Sequence, residues 1–187
     1  MKIGLFFGSF NPVHIGHLIV ANHFVEFSDI EMVWFVVSPQ NPLKEKNSLL
    51  NPQSRLRMVS AAIRDNPRFK VCDAEFDLPK PSYTIDTLRF LKKKYLSLDF
   101  TVLMGSDAYT SLPEWKEYYS ILSDFPIYVY PRRDFPLKMK GASKEKNVTL
   151  FDFPYLDISA TYIRRLMSQG KSLQYLVPEK ALKILER

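Results

Sequence analysis

Cysteine is almost missing from this 187-residue chain, with Cys72 standing alone. One thiol excludes an internal disulfide framework and suits a reducing compartment. It closes the apolar run Phe69-Lys-Val-Cys72, so it reads as a buried structural thiol rather than a nucleophile. No apolar stretch reaches the roughly 20 residues that a membrane helix needs. The apolar start is short, lacks a small-residue cleavage site and runs into polar turn residues, so no signal peptide is read there. Repeats, linkers and low-complexity segments are missing too. With 46% hydrophobic and 25% charged residues the composition excludes disorder. The expectation is one soluble cytoplasmic domain over residues 1–187, with no membrane partner.

Net charge is +6 and the pI about 9.3, which raises the question of nucleic acid. The basic residues are scattered, however. Lys92-Lys93-Lys94 falls at the end of an expected helix, where the dipole favours cations. Four lysines and one glutamate lie between Lys138 and Lys146 in an expected surface loop. A mildly basic enzyme acting on polyphosphates explains the charge as well as RNA does. No nucleic-acid partner is expected.

Histidine is scarce, three in all, yet two fall in one decapeptide, Gly8-Ser-Phe-Asn-Pro-Val-His14-Ile-Gly-His17. It joins an apolar strand (residues 2–8) to an amphipathic helix (15–28), and Gly8, Asn11, Pro12 and Gly16 favour a tight turn. With the helix starting near Val13, His14 and His17 share a face and flank its N-terminus. Free N–H groups and the positive dipole end attract phosphate there. Gly16 lets a ligand approach the backbone. One histidine at such a place is usually a cap or a packed polar residue, whereas the pair around a glycine points to a phosphate site with two imidazole donors. A metal site is disfavoured, since no cysteine is near and Glu26 and Asp29 lie two or more turns away.

Along the chain, 32–38 reads as a strand buried on both faces. Residues 39–51 form a loop at its carboxyl end, the edge where open α/β sheets bind ligands. Lys44 in that loop is either solvated or a point charge for polyphosphate. A helix spans 52–66, on which Arg55 and Arg57 lie on solvent or hold the adjoining loop. A short strand follows at 69–73, and 74–82 is a loop. Ser82 or Thr84 caps a helix running to about Tyr95. The strand 99–104 leads into Gly105, Ser106 and Asp107, where Asp107 is a helix cap or a sugar-hydroxyl acceptor. Residues 111–122 read as a helix starting at Pro113, with Trp115 in its first turn packed in the core or offered to a base. Strands at 126–130 and 148–152 flank an aperiodic loop, 131–147. The last motif, 157–170, is a short helix opening on Ser159 and Thr161 with Arg164 close behind and Gly170 at its end. Hydroxyls, free N–H groups and an arginine there suit phosphate again. A terminal helix covers 178–186. This alternation predicts an α/β fold, a doubly wound and mostly parallel sheet.

The segment GSFNPVHIGH resembles the HxGH signature of the nucleotidyltransferase superfamily, which shares its fold with class I aminoacyl-tRNA synthetases. Together with NPLK, YTIDTL, GSDAYTSLPEW and ISATYIRRLMSQGKSLQYLVP, it resembles the bacterial nicotinate-nucleotide adenylyltransferases over nearly the whole chain. The resemblance implies a Rossmann-like nucleotidyltransferase fold and adenylyl transfer from ATP to nicotinate mononucleotide, giving nicotinate adenine dinucleotide and pyrophosphate. The alternatives are nicotinamide mononucleotide as acceptor, a phosphopantetheine adenylyl- or cytidylyltransferase, or a non-catalytic nucleotide- or RNA-binding module. On this reading His14, His17 and Arg164 are catalytic. ATP is held by Gly8, Ser9, Phe10, Lys44, Gly105, Asp107, Ser159 and Thr161. The pyridine mononucleotide lies near Thr84, Trp115 and Lys116, its ring stacked on Trp115. Mg²⁺ enters with ATP, held mainly by substrate and water, with no protein metal site. Phe7, Ala160 and Lys116 stand where the family more often has glycine, serine and an aromatic. The Lys116 ammonium is expected to favour the nicotinate carboxylate.

Overall fold

The computed structural model of the chain describes residues 1–40, 49–136 and 146–186. Six parallel strands form one sheet: β1 (Lys2–Gly8), β2 (Met32–Val37), β3 (Phe69–Cys72), β4 (Asp99–Gly105), β5 (Ile127–Tyr130) and β6 (Val148–Leu150). Their order across the sheet is β3-β2-β1-β4-β5-β6. The chain winds outward from β1 in one direction, returns to pair β4 against β1, and winds outward in the other.

The apolar runs alternate between the two faces. Val33, Phe35 and Val37 of β2 join Phe6 and Leu103 in one core, while Trp34 and Val36 join Ile3, Leu5, Val102 and Met104 in the other. The first core is covered by α1 (Ile15–Phe27), α2 (Pro52–Ile63), α6 (Ala160–Ser168) and α7 (Glu179–Leu185). The second is covered by α3 (Thr84–Lys94), the short α4 (Ser106–Ser111) and α5 (Tyr118–Asp124). Strands buried on both sides need near-continuous apolar sequence, which the runs at 32–38 and 99–104 supply. Cys72 is buried. No described helix is long and apolar enough to cross a membrane.

Two expected elements differ. In place of the helix over 111–122 stand a 3-10 turn at Leu112–Glu114, directly after α4, and then α5, with Glu117 between them in a left-handed conformation, φ 49°. Arg89 on α3 holds that residue through Nη1 at 3.1 Å and Nη2 at 2.7 Å. Trp115 therefore follows the 3-10 turn rather than opening a helix. The helix after the first strand begins at Ile15, two residues later than Val13, and His14 is its N-cap.

Candidate active site

β1 and β4 are neighbours, but the chain leaves Gly8 for one face of the sheet and Gly105 for the other. Diverging connections open a cleft at the carboxyl ends of those strands. The cleft has a volume of about 250 Å³. Gly8, Ser9, Phe10, His17, Thr84, Gly105, Asp107 and Trp115 all line it. A second, small space of about 50 Å³ adjoins it behind His14, and His17, Tyr130 and Arg132 line both.

The join from β1 to α1 is buried and tightly tied. The His14 amide donates to Nδ1 of His17 at 3.2 Å, which leaves the His17 proton on Nε2. The two rings lie 3.7 Å apart at 33°, and His17 meets the Phe10 ring edge-on at 5.0 Å. His14 is only 2% exposed, and its Nδ1 has no partner among the described residues. Burial, reinforced by the Arg132 charge, pushes the His14 imidazole down to about 4. His14 is therefore a neutral hydrogen-bonding ring near pH 7, whereas a solvated histidine would carry part of a charge. A Cβ on Gly16 would stand 3.0 Å from His14 Nδ1. The missing side chain thus makes room for the His14 ring rather than for a ligand. Phe10 has φ 45° and buries its ring in the core, so only its backbone is offered to the cleft.

Beneath the join lies Arg55, fully buried and without a carboxylate partner among the described residues. Its Nη1 donates to the Ser9 carbonyl at 2.5 Å and to the Ser38 carbonyl at 2.7 Å. Nη2 donates to the Pro39 carbonyl at 2.9 Å and Nε to that of Leu50 at 3.0 Å. One guanidinium thus fastens together the loops leaving β1 and β2. Of the two readings open for Arg55 in sequence, holding the loop is the one the structure adopts; Arg57 is exposed.

At the β4 end Asp107 does not cap a helix. Its carboxylate curls back over Gly105, and its Oδ1 lies 3.7 Å from Arg132 Nε. The Arg132 amide donates to the buried Ser106 Oγ at 2.8 Å, which fixes the chain after β5 against β4. Burial pushes the Tyr130 phenol up to about 12.

The last motif meets the first. Arg164 Nη1 donates to the Asn11 carbonyl at 2.9 Å and Nη2 to Thr161 Oγ1 at 3.1 Å. Ser159 caps α6, its Oγ accepting the Tyr162 amide at 3.1 Å. Gly170, with φ 63°, follows the helix end. Ala160 lines the main cleft, and Ser159 lines a groove shared with Asp107 and Arg132.

At the far end of the cleft, α3 is capped by Tyr83 without a side-chain bond, so capping explains neither Ser82 nor Thr84. Both line the cleft beside Trp115. The buried Trp115 Nε1 and Ser82 Oγ have no partner among the described residues. Lys116 is the misplaced residue. It does not line the cleft; its ammonium sits on Asp86, 2.9 Å from Oδ2, and over the Tyr83 ring at 5.0 Å. The Asp86 carboxylate holds its pKa up. Lys44 lies outside the described residues.

Residues 5–166 match the family model described as cytidylyltransferase-like. A Cytophaga hutchinsonii protein named "probable nicotinate-nucleotide adenylyltransferase" is 49% identical over 185 residues, spanning 99% of this chain and 95% of that protein. A Flavobacterium johnsoniae protein of the same name is 46% identical over 187 residues, spanning 100% and 96%. The chain belongs to the nicotinate-nucleotide adenylyltransferase family. The fold is also that of the Plasmodium falciparum nicotinic acid mononucleotide adenylyltransferase complexed with NaAD, with a TM-score of 0.83 at 18% identity over 99% of this chain and 94% of that one. The same enzyme complexed with APC gives 0.81.

Two residues of the site escaped the sequence reading. Arg132 lies just past a strand's carboxyl end, a position that marks ligand-binding loops in parallel sheets and was the available signal. Glu75, in the 3-10 turn Ala74–Phe76 after β3, lies 2% exposed against the cleft. No local pattern distinguishes it.

Proposed function

We propose that the protein transfers the adenylyl group of ATP to nicotinate mononucleotide, forming nicotinate adenine dinucleotide and pyrophosphate in NAD biosynthesis. Family membership supplies the reaction. The observation that carries the assignment is a cleft with His17 at one end and Trp115, Thr84 and Ser82 at the other, with a smaller space adjoining it behind His14. A cleft of that form accommodates a triphosphate and a pyridine nucleotide side by side.

A phosphate oxygen of the mononucleotide attacks the α-phosphorus of ATP as the bond to the β-phosphate oxygen breaks. The nucleophile is already an anion, so no general base is required. Catalysis is positioning and charge stabilisation. His17, its proton on Nε2, donates to an oxygen of the reacting phosphates. His14 serves as a neutral donor against the helix start. Gly8, Ser9 and Phe10 present backbone to adenosine and phosphates, and Gly105 and Asp107 lie by a ribose. Arg164 has one nitrogen on the Asn11 carbonyl, so its charge is held against the phosphate loop. Ser159, Thr161 and Lys44 complete the polyphosphate's surroundings. The pyridine ring stacks on Trp115 beside Thr84.

Mg²⁺ comes in with ATP. No three His, Cys, Asp or Glu side chains cluster among the described residues. Phosphate oxygens and water would hold it, and it would neutralise the triphosphate.

The deciding experiment is a paired assay of nicotinate and nicotinamide mononucleotides with ATP and Mg²⁺, following dinucleotide formation. Product with nicotinate mononucleotide in preference is expected. Failure to form dinucleotide with either acceptor overturns the proposal. Pyrophosphate release that needs no pyridine mononucleotide points instead to a cytidylyl- or phosphopantetheine-type acceptor.

A further inference from the structure

Glu75 is a carboxylate buried beside a ligand cleft, with hydroxyls but no cation around it among the described residues. Thr87 Oγ1 donates to Oε1 at 3.1 Å. Oε2 is buried with no hydrogen-bond partner among the described residues. The Ser38 and Ser82 hydroxyls stand close enough to favour its charge, but burial prevails and pushes the carboxyl up. No cation among the described residues is paired with it. If Glu75 only tied its turn to Thr87, a neutral glutamine of the same shape would serve without the cost of a buried charge.

A second buried charge lies on the other side of the same strand end. Ser38, which follows β2, turns its carbonyl to the Arg55 guanidinium and its hydroxyl towards Glu75. Arg55 lies under Ser9 at the phosphate end, and Glu75 lies with Ser82 and Thr84 at the opposite end. A positive charge is therefore buried beneath one end of the cleft, and a negative one lines the other. A pyridine mononucleotide carries the complementary polarity. Its phosphate is anionic, and its ring, quaternised at nitrogen by the ribose, is a permanent cation.

We infer that the Glu75 carboxylate is the countercharge for the cationic ring of the acceptor, and so a specificity-determining residue for pyridinium over uncharged rings. The inference rests on the acceptor proposed above. An arriving cation supplies the partner that Oε2 lacks and holds the carboxyl ionised. Trp115 then presents its face to the same ring, a cation–aromatic contact that adds to the pairing. The nicotinate carboxylate must point away from Glu75.

The test compares nicotinate mononucleotide with its 1,4-dihydropyridine form, which keeps the shape and loses the ring charge, in the wild type and Glu75→Gln. The wild type is expected to prefer the cationic form by about tenfold or more in kcat/KM, as a close desolvated charge pair implies. In Glu75→Gln that preference shrinks towards one while the KM for ATP stays as it was. Equal use of the two forms by the wild type overturns the inference, and this arm stands even where the variant does not fold. So does a Glu75→Gln protein in which both forms lose the same factor, the signature of a merely structural residue. A wild type that makes no dinucleotide from either form removes the acceptor reading itself; equal activity on both removes this inference alone.

Discussion

The two phosphate-facing motifs are built in opposite ways. In the join from β1 to α1, Phe10 and His14 are each 2% exposed and Ser9 is 4% exposed, with the backbone fastened from below by Arg55. At the start of α6, Ser159 and Arg164 are half-buried, Thr161 is exposed, and all three spend bonds on their own helix or on the Asn11 carbonyl. The first motif is set before substrate arrives, because its parts are held by packing. The second consists of long or exposed side chains whose present bonds are to groups that water could replace. The difference teaches where each kind of damage will appear. Mutations in the first should damage the rate, since preorganised donors act in the transition state. Mutations in the second should fall more on helix stability and on polyphosphate affinity.

The sharpest test of that division is His17→Ala. It removes the ring that the His14 amide fixes in one tautomer, and turnover should fall by about 10²–10³ with the protein still folded. Steady-state kinetics with a circular dichroism check reads this. Unchanged turnover would show that the join is scaffold and that the chemistry rests elsewhere.

The next effect belongs to His14 and appears in stability. In the fold its imidazole is held at about 4, whereas the unfolded chain titrates at the ordinary 6.5. Between those values the unfolded state takes up a proton that the folded state refuses, so acid favours unfolding. The contribution is present in full above pH 6.5 and is lost as pH falls towards 4, by about 3 kcal/mol in all. His14→Asn, which keeps a capping residue, should flatten that part of the stability curve. Urea midpoints measured from pH 7 to 4 decide it, and parallel curves for the two proteins would mean that the ring is not desolvated.

Smaller still is Ser159→Ala in the second motif. It deletes the α6 cap and should cost about 1 kcal/mol. The KM for ATP should rise while kcat changes little. A kcat loss as large as that of His17→Ala would erase the contrast between the motifs.

Sequence reasoning reached the sheet easily because burial on both faces demands apolar runs, and those at 2–8, 32–38 and 99–104 are continuous. The HxGH segment was legible because scarce residue types converge in ten positions. What escaped depends on contacts distant in sequence. Arg55 was open between solvent and the adjoining loop, and carbonyl partners 46, 17 and 16 residues away decide for the loop. Nothing near Glu75 signals that three hydroxyls and a cleft surround it. The helix expected over 111–122 has good local periodicity, yet it is interrupted at Glu117, which pairs with Arg89 28 residues away. Thr84 was open to a capping explanation until Tyr83 proved to be the cap.

Lys116 gives the smallest expected effect and the clearest limit of reading a position without its partners. Its place after Trp115 suggested an ammonium aimed at the nicotinate carboxylate. In the fold the side chains of Lys116 and Asp86 are both partly exposed and hold each other between the turn before α5 and the first turn of α3, at 3.1 and 2.9 Å, outside the cleft. An exposed pair of this kind contributes little to stability and is screened by salt. Lys116→Ala should therefore leave the ratio of kcat/KM for nicotinate and nicotinamide mononucleotides within about twofold of the wild type, because a screened charge already neutralised by a carboxylate acts weakly at a distance. A tenfold loss of nicotinate preference would mean that the ammonium leaves Asp86 when acceptor binds. The acceptor end of the cleft would then be completed by substrate, as the α6 end is, and the contrast between the two motifs would extend along its whole length.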